Sequence, residues 1–435
     1  MTTWRLFDGA GGRPGNGPAT GTAFAGAYIA GNMFCVSQGG KWLTGYFWWV
    51  AASGQDTAPV GGFKFALWQL ATSSTGVLVP GSVVSIASLT AGQWNFVPLP
   101  TPLLLAPSAS NSYGSVYLAA IGYTAAAGFP STQNVFGLGD PFANGIVNGP
   151  LIAPSSHYVG STQDAGNAFA WTKPQCPFST AGSDPSVIMP GSNDADDNLW
   201  IDIQISDQAP AGATFRAFPN MPQFVDPGSG AQATAFTLGL QFSVSQACQL
   251  KKIWHWSPSG ATVLPTRCGL WNVGTQTEVA GSDNSSPTWS GAAGSGWISV
   301  SYASGPTLAA GTQYKVSTFT SDNVDPWFQA FPSWWGGAPG PFSSGFTQGP
   351  LTIPGNAAAS PGQNSWNQGI AWTYPNTSTN PEYDAVDVEL LPIAAPSTPA
   401  AVLFPQMTDS TFTPATGGWP QLGYAMAGGM RWYPA

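Results

Sequence analysis

Asn148-Gly-Pro-Leu-Ile-Ala-Pro154 returns 200 positions later as Gln348-Gly-Pro-Leu-Thr-Ile-Pro354. The match spreads outward from there. Downstream, Phe169-Ala-Trp-Thr-Lys-Pro174 is answered by Ile370-Ala-Trp-Thr-Tyr-Pro375. Each copy then closes on an alternating segment, Leu199-Trp-Ile-Asp-Ile-Gln-Ile205 in one and Tyr383-Asp-Ala-Val-Asp-Val-Glu-Leu390 in the other. Upstream, Ala66-Leu-Trp68 matches Gly269-Leu-Trp271, and Trp94 matches Trp297. Leu104-Leu-Ala-Pro with Tyr113–Ala119 matches Leu308-Ala-Ala-Gly-Thr-Gln-Tyr-Lys-Val. Phe34-Cys-Val-Ser-Gln38 matches Phe242-Ser-Val-Ser-Gln246, and Tyr46-Phe-Trp48 falls at the same spacing as Trp254-His-Trp256, an ungapped offset of 208. A period near 200 is too long for a solenoid repeat or a propeller blade, so each copy reads as a complete domain with its own core.

The local pattern is that of strands. Phe236–Val244 alternates apolar and polar residues from Leu238 onward, as a half-buried strand does. In Lys252–Trp256 the period of two puts Trp254 and Trp256 on one face, and Ile253 and His255 on the other. Tyr46 and Trp48 are expected on the same face as that tryptophan pair, as a core wall. Trp68 and Trp271 are expected in the core as well. Gly (54) and Pro (40) are spread along the 435 residues and interrupt every candidate helix. The expected fold is all-β: two tandem antiparallel β-sandwich (jelly-roll-like) domains with an irregular C-terminal tail. The expected boundaries are residues 1–207, 208–395 and 396–435, with Asp207-Gln-Ala-Pro-Ala-Gly-Ala213 as the join and Pro396-Ser-Thr-Pro399 before the tail.

Composition narrows the function. Only 7% of residues are charged and 43% are hydrophobic, so the surface must be covered largely by Gly, Ser, Thr, Asn, Gln and Pro. A net charge of −9 with 11 Lys plus Arg leaves no basic patch for phosphates, which disfavours nucleic-acid binding. No apolar run reaches a membrane span, and Met1–Phe7 has no signal-peptide pattern. The four cysteines have no CxxC spacing, so they are expected as free buried thiols, although Cys248 and Cys268 fall where neighbouring strands could bring them together.

The chemistry-bearing residues are few. His157 and His255 have no partner at metal-ligand spacing, and no nucleophile elbow or P-loop occurs. No enzymatic activity and no resident cofactor are expected. Asp194, Asp196 and Asp197 form the one candidate Ca²⁺ site, since clustered carboxylates supply hard oxygen ligands, though the Gly and distal Glu of an EF-hand are missing. Trp334 and Trp335 lie in a Gly/Pro loop with no tryptophan at the matching place in the first copy, and read as a contact surface. The tail carries Trp419, Trp432 and Tyr433 in a segment too short to bury them, so it is expected to dock on its own domain or on a neighbour.

The order of signals in each copy is F-x-V-S, an aromatic strand, x-L-W, a Gly-x-W strand, L-x-x-G-T-x-Y, then GPL. It resembles a domain-of-unknown-function family of β-sandwich modules, found in surface proteins of actinobacteria and in structural proteins of the phages that infect them. Leu270-Trp271, Gly296-Trp297, Leu308–Tyr314 and Gly349-Pro-Leu351 carry the resemblance in the second copy. The first copy departs where Pro107–Tyr113 replaces the Gly-Thr turn. The resemblance implies a bacteriophage virion structural protein, a minor tail, tail-tip or fibre component used in assembly and host attachment. The alternatives are a head (capsid) decoration or fibre protein, and a secreted bacterial carbohydrate-binding or adhesion protein. It further implies a virion location after assembly in the host cytoplasm. The implied partners are other virion proteins, further copies of the chain and a host cell-envelope glycan.

Overall fold

In the computed structural model the described residues are all except 1, 12, 21, 24–26, 71–75, 108–115, 124–127, 130–144, 154–176, 194–198, 220–229, 232–234, 259, 322–326, 329–344, 356–363, 370, 379–385, 394–423, 427–428 and 432–435. They form strands and turns and no helix. Residues Met1–Ile393 make one compact unit and Ala394–Ala435 a second. In the second, Tyr424–Met426 pairs antiparallel with Gly429–Arg431.

Within the large unit, eight principal strands come from the first half of the chain: β1 (Thr3–Trp4), β2 (Tyr28–Val36), β3 (Lys41–Val50), β4 (Phe63–Leu70), β5 (Gln93–Leu105), β6 (Val116–Tyr123), β7 (Leu151–Ala153) and β8 (Ile201–Ser206). Eight more come from the second half: β9 (Phe215–Arg216), β10 (Phe236–Val244), β11 (Cys248–Ser257), β12 (Arg267–Asn272), β13 (Gly296–Ser301), β14 (Gln313–Thr320), β15 (Leu351–Pro354) and β16 (Val386–Pro392). The first set builds a small sheet in the order β1-β8-β3-β5 and a large one containing β7-β2-β6-β4. The second set repeats both orders, as β9-β16-β11-β13 and β15-β10-β14-β12. All these pairings are antiparallel.

The two sheets of each half close over a common core. In the first half Tyr46 of the small sheet stacks on Phe65 of the large one, with centroids 5.4 Å apart, and Trp48 stacks on Tyr123 at 5.9 Å. Both Tyr46 and Trp48 are fully buried. β2 and β6 are buried along their whole length, on both faces. Their outer face lies under residues that include Ile188 and Met189. A strand covered on both sides has no polar face to alternate with, which explains the continuous apolar runs.

Trp68 belongs to that outer layer, with its indole N–H donating to Pro185 O at 2.7 Å. Trp271 likewise packs against Trp372 and Tyr374. Both tryptophans are buried, but beneath covering segments and not between the sheets.

The ungapped alignment of the aromatic strands needs a correction. Asp202 pairs with Phe47 and Asp387 with Trp254, so Phe47 and not Tyr46 corresponds to Trp254. The hairpin between Ser37 and Lys41 holds three residues, while that between Ser245 and Cys248 holds two. One residue fewer shifts the whole strand to the other face. Ile253 and His255 therefore face the second core and are buried, where Tyr46 and Trp48 stand in the first. Trp254 turns outward. The smaller core is refilled from elsewhere. Tyr302 donates its hydroxyl to Ser282 O at 2.7 Å, the same bond that Tyr46 makes to Ser82 O at 2.7 Å.

The tyrosine match also moves. Tyr117 pairs with Phe34 as Tyr314 pairs with Phe242, and each hydroxyl accepts a backbone N–H, from Ala106 at 2.7 Å and from Ala309 at 2.9 Å. Tyr117, not Tyr113, is the counterpart of Tyr314.

His255 is the one buried histidine among the described residues. Its Nδ1 lies 3.2 Å from Thr318 Oγ1, and burial lowers its pKa from 6.5 to about 3. A depressed histidine supplies stability that is complete above pH 6.5 and is lost as the pH falls toward 3, because the unfolded chain takes the proton first. His255→Gln should therefore flatten the pH dependence of stability between pH 6.5 and 5 by up to about 1.4 kcal/mol per unit. Urea unfolding of both proteins at pH 7, 6 and 5 checks this, and parallel slopes would refute it. Cys248 and Cys268 are free and buried, Cys35 is buried, and Cys176 lies outside the described residues. Cys248 and Cys268 sit in different sheets, and burial raises both thiols to about 11.

Candidate functional site: the cleft between the two halves

A shared clamp fixes the entry of each half. Thr3-Trp-Arg-Leu-Phe7 and Thr214-Phe-Arg-Ala-Phe218 both lead an arginine in beside a buried aspartate. Asp202 accepts from Leu6 N and Phe7 N at 3.0 Å each, from Ile203 N at 2.7 Å and from Arg5 Nε at 3.2 Å. Asp387 accepts from Ala217 N at 3.0 Å, Phe218 N at 3.1 Å, Val388 N at 2.7 Å and Arg216 Nε at 3.1 Å. Burial pushes both carboxyls upward, against the arginine and the amides that pull them down. Every partner is an N–H donor, so the site suits the anion. Each guanidinium also covers aromatic rings. Arg5 lies 3.5 Å from the Phe47 centroid and 4.8 Å from that of Trp94, and Arg216 lies 3.8 Å from Trp254 and 5.0 Å from Trp297.

The GPL turns seat these entry strands. Gly149 (φ +58°) and Gly349 (φ +60°) have left-handed backbones, and a Cβ at either would enter the ring of Trp4 or Phe215 respectively. Asn148 donates to Arg5 O at 2.8 Å within its own half. Gln348, at the matching place, is one methylene longer and crosses to the other half. Its Nε2 donates to Leu105 O at 2.8 Å, and its Oε1 accepts from Gly40 N at 2.8 Å. Beside it Trp42, Leu104 and Phe215 form a small buried cluster, with the Trp42 and Phe215 rings edge to face at 5.5 Å. Gln348→Ala would strand a half-buried N–H and a buried C=O, and should cost about 1–2 kcal/mol in urea unfolding. A loss below about 0.5 kcal/mol would show that this bridge is not what holds the halves.

Among the described residues, which leave out 220–229 after the second entry strand, the outer aromatic faces of the two small sheets have the following surroundings. In the first half, Trp94 Nε1 donates to Gly15 O at 2.6 Å and Trp49 Nε1 to Pro18 O at 3.0 Å, so the chain after Phe7 covers them. In the second half, Trp254, Trp256 and Trp297 line a cleft of about 800 Å³ together with Arg216 and Glu389. The opposite wall comes from the first half: Trp42, Val77, Leu78, Pro80 and Pro102–Leu104. Glu389 accepts from Thr214 Oγ1 at 2.9 Å and from Trp254 Nε1 at 3.0 Å, and pairs with Lys252 at 3.2 Å. Clefts at such junctions are common ligand sites, and this one lies within the usual size range.

None of the candidate binding and metal residues singled out by sequence falls among the described ones. Trp334, Trp335, Trp419, Trp432, Tyr433, Asp194, Asp196 and Asp197 all lie outside the described residues. Among the described residues no group of three or more His, Cys, Asp or Glu could hold a metal ion, and no helix is long and apolar enough to cross a membrane. The sequence pattern hides the cleft, because the period of two alone puts Trp254 on the core face. The shared Thr-aromatic-Arg-x-Phe signal was there to be read, in a chain with only 11 basic residues.

No family model and no curated protein matches the chain. Among solved structures it is similar to procruciferin, an 11S globulin from Brassica napus, at 11% identity over 71% of this chain and 76% of that one. The TM-score is 0.10, a likeness too slight to carry an argument.

Proposed function

We propose that this chain is a structural component of a bacteriophage virion, a minor tail, tail-tip or fibre subunit that contributes to assembly and host-surface attachment. The observation that carries the reading is the junction: Gln348 and the Trp42–Leu104–Phe215 cluster tie two like-ordered sandwiches into one compact unit. Such a unit suits a stiff spacer. Low charge and an aromatic cleft suit a surface that meets neighbouring subunits and sugars, where weak contacts gain from many copies. The order of sequence signals, read as a likeness to phage and actinobacterial surface modules, is what points the reading to a virion. The cleft also supports the second reading, a secreted bacterial carbohydrate-binding protein. Peptide mass spectrometry of virions purified from the source of the gene separates the two. Peptides at a stoichiometry of several copies per particle are expected, and their absence from purified particles would remove the virion assignment.

A further inference from the structure

We propose that the cleft between the halves binds a glycan chain, held against Trp254 and its neighbours and hydrogen-bonded by Trp42 and Glu389. This deepens the attachment role proposed above and rests on it. The argument begins with what the walls offer. Three tryptophans of the second half line one side, and apolar Val77, Leu78 and Leu103 line the other. Flat aromatic faces beside polar groups match a pyranose, which carries an apolar C–H face and a rim of hydroxyls.

The polar groups narrow the ligand further. Trp42 Nε1 and Arg216 Nη2 are buried and have no hydrogen-bond partner among the described residues. Arg5 Nη2 is in the same state, so for the guanidinium this belongs to the clamp. Trp42 differs. Its place in the second half is taken by Gln249, and unlike Trp48 and Trp271, whose Nε1 atoms also lack a partner, Trp42 lines this cleft. Buried donors of this kind are costly unless something accepts from them. Glu389 adds an acceptor at the same cleft, with Oε1 carrying one bond from Thr214. A sugar hydroxyl both donates and accepts, so it can serve both Trp42 and Glu389. A polyproline stretch, the other chain that aromatic grooves take, offers only carbonyl acceptors and nothing to Glu389.

The test uses the full chain and follows tryptophan fluorescence. Maltohexaose, chitohexaose, soluble arabinogalactan and a decaproline peptide are titrated separately. At least one of the three sugars should give a saturable change. Trp254→Ala should weaken it at least tenfold. Val77→Arg, at a position 40% exposed on the opposite wall, should do the same without touching either core. The second variant guards against loss of the first by misfolding. No saturable change with any of the three sugars would overturn the proposal. So would sugar binding unaffected by Val77→Arg, or saturation by decaproline alone. Failure here leaves the virion assignment standing, while absence from particles leaves sugar binding intact, so the two failures are distinguishable.

Discussion

Replacing Asp387 by alanine should destabilise the protein by about 3–5 kcal/mol, the cost of removing one partner of a buried ion pair. The size follows from what remains. Ala217 N, Phe218 N and Arg216 Nε lose their common acceptor, and Arg216 is left as a nearly buried cation over two rings. The entry strand β9, only two residues long, is pinned largely by those bonds. Asp202→Ala should cost a similar amount in the first half, since its four donors match one for one. Asp387→Asn should fall between, because the amide keeps the shape and one acceptor but loses the charge. Urea denaturation of the three variants measures the series. A loss under about 1 kcal/mol for Asp387→Ala would mean that the clamp is not a structural element of the fold.

Phe215→Ala is expected to be nearly as damaging, at about 3–4 kcal/mol, in the range for truncating a buried phenylalanine. Its second effect is more informative. Phe215 touches both halves: its ring meets Trp42 edge to face in the first and covers Gly349 in the second. Removing it opens a cavity at the junction and loosens the seat that holds Gln348 against Leu105 and Gly40. The wild-type unit, Met1–Ile393, should unfold in one cooperative transition, and the variant in two resolved ones. Differential scanning calorimetry reads this directly. A wild-type profile that already shows two independent transitions would place the halves as separate bodies on a linker.

The strand character was legible because it rests on local patterns. Phe34-Cys-Val-Ser and Phe242-Ser-Val-Ser occupy the same register beside Tyr117 and Tyr314, and the GPL turns hold matching left-handed glycines. What was not legible turned on single residues. One residue fewer before Cys248 reverses the faces of β11, so Trp254 passes from core wall to cleft wall and His255 from surface to core. Pattern alone cannot reveal this, because aromatic residues stand at both parities of the strand. The burial of β2 and β6 on both sides depends on distant segments that pack over the large sheet, which alternation within a strand does not report. The cleft depends on Gln348 reaching one methylene farther than Asn148, a contact between residues 243 positions apart.

The most direct test of the locked junction is amide hydrogen exchange at Gly40. Its N–H sits in a hairpin and is held by Gln348 Oε1 from the other half at 2.8 Å. If the halves form one unit, this amide should exchange far more slowly than a free hairpin amide in the wild type, and lose that protection in Gln348→Ala and Phe215→Ala. Exchange of Gly40 at the free-hairpin rate in the wild type would contradict the account.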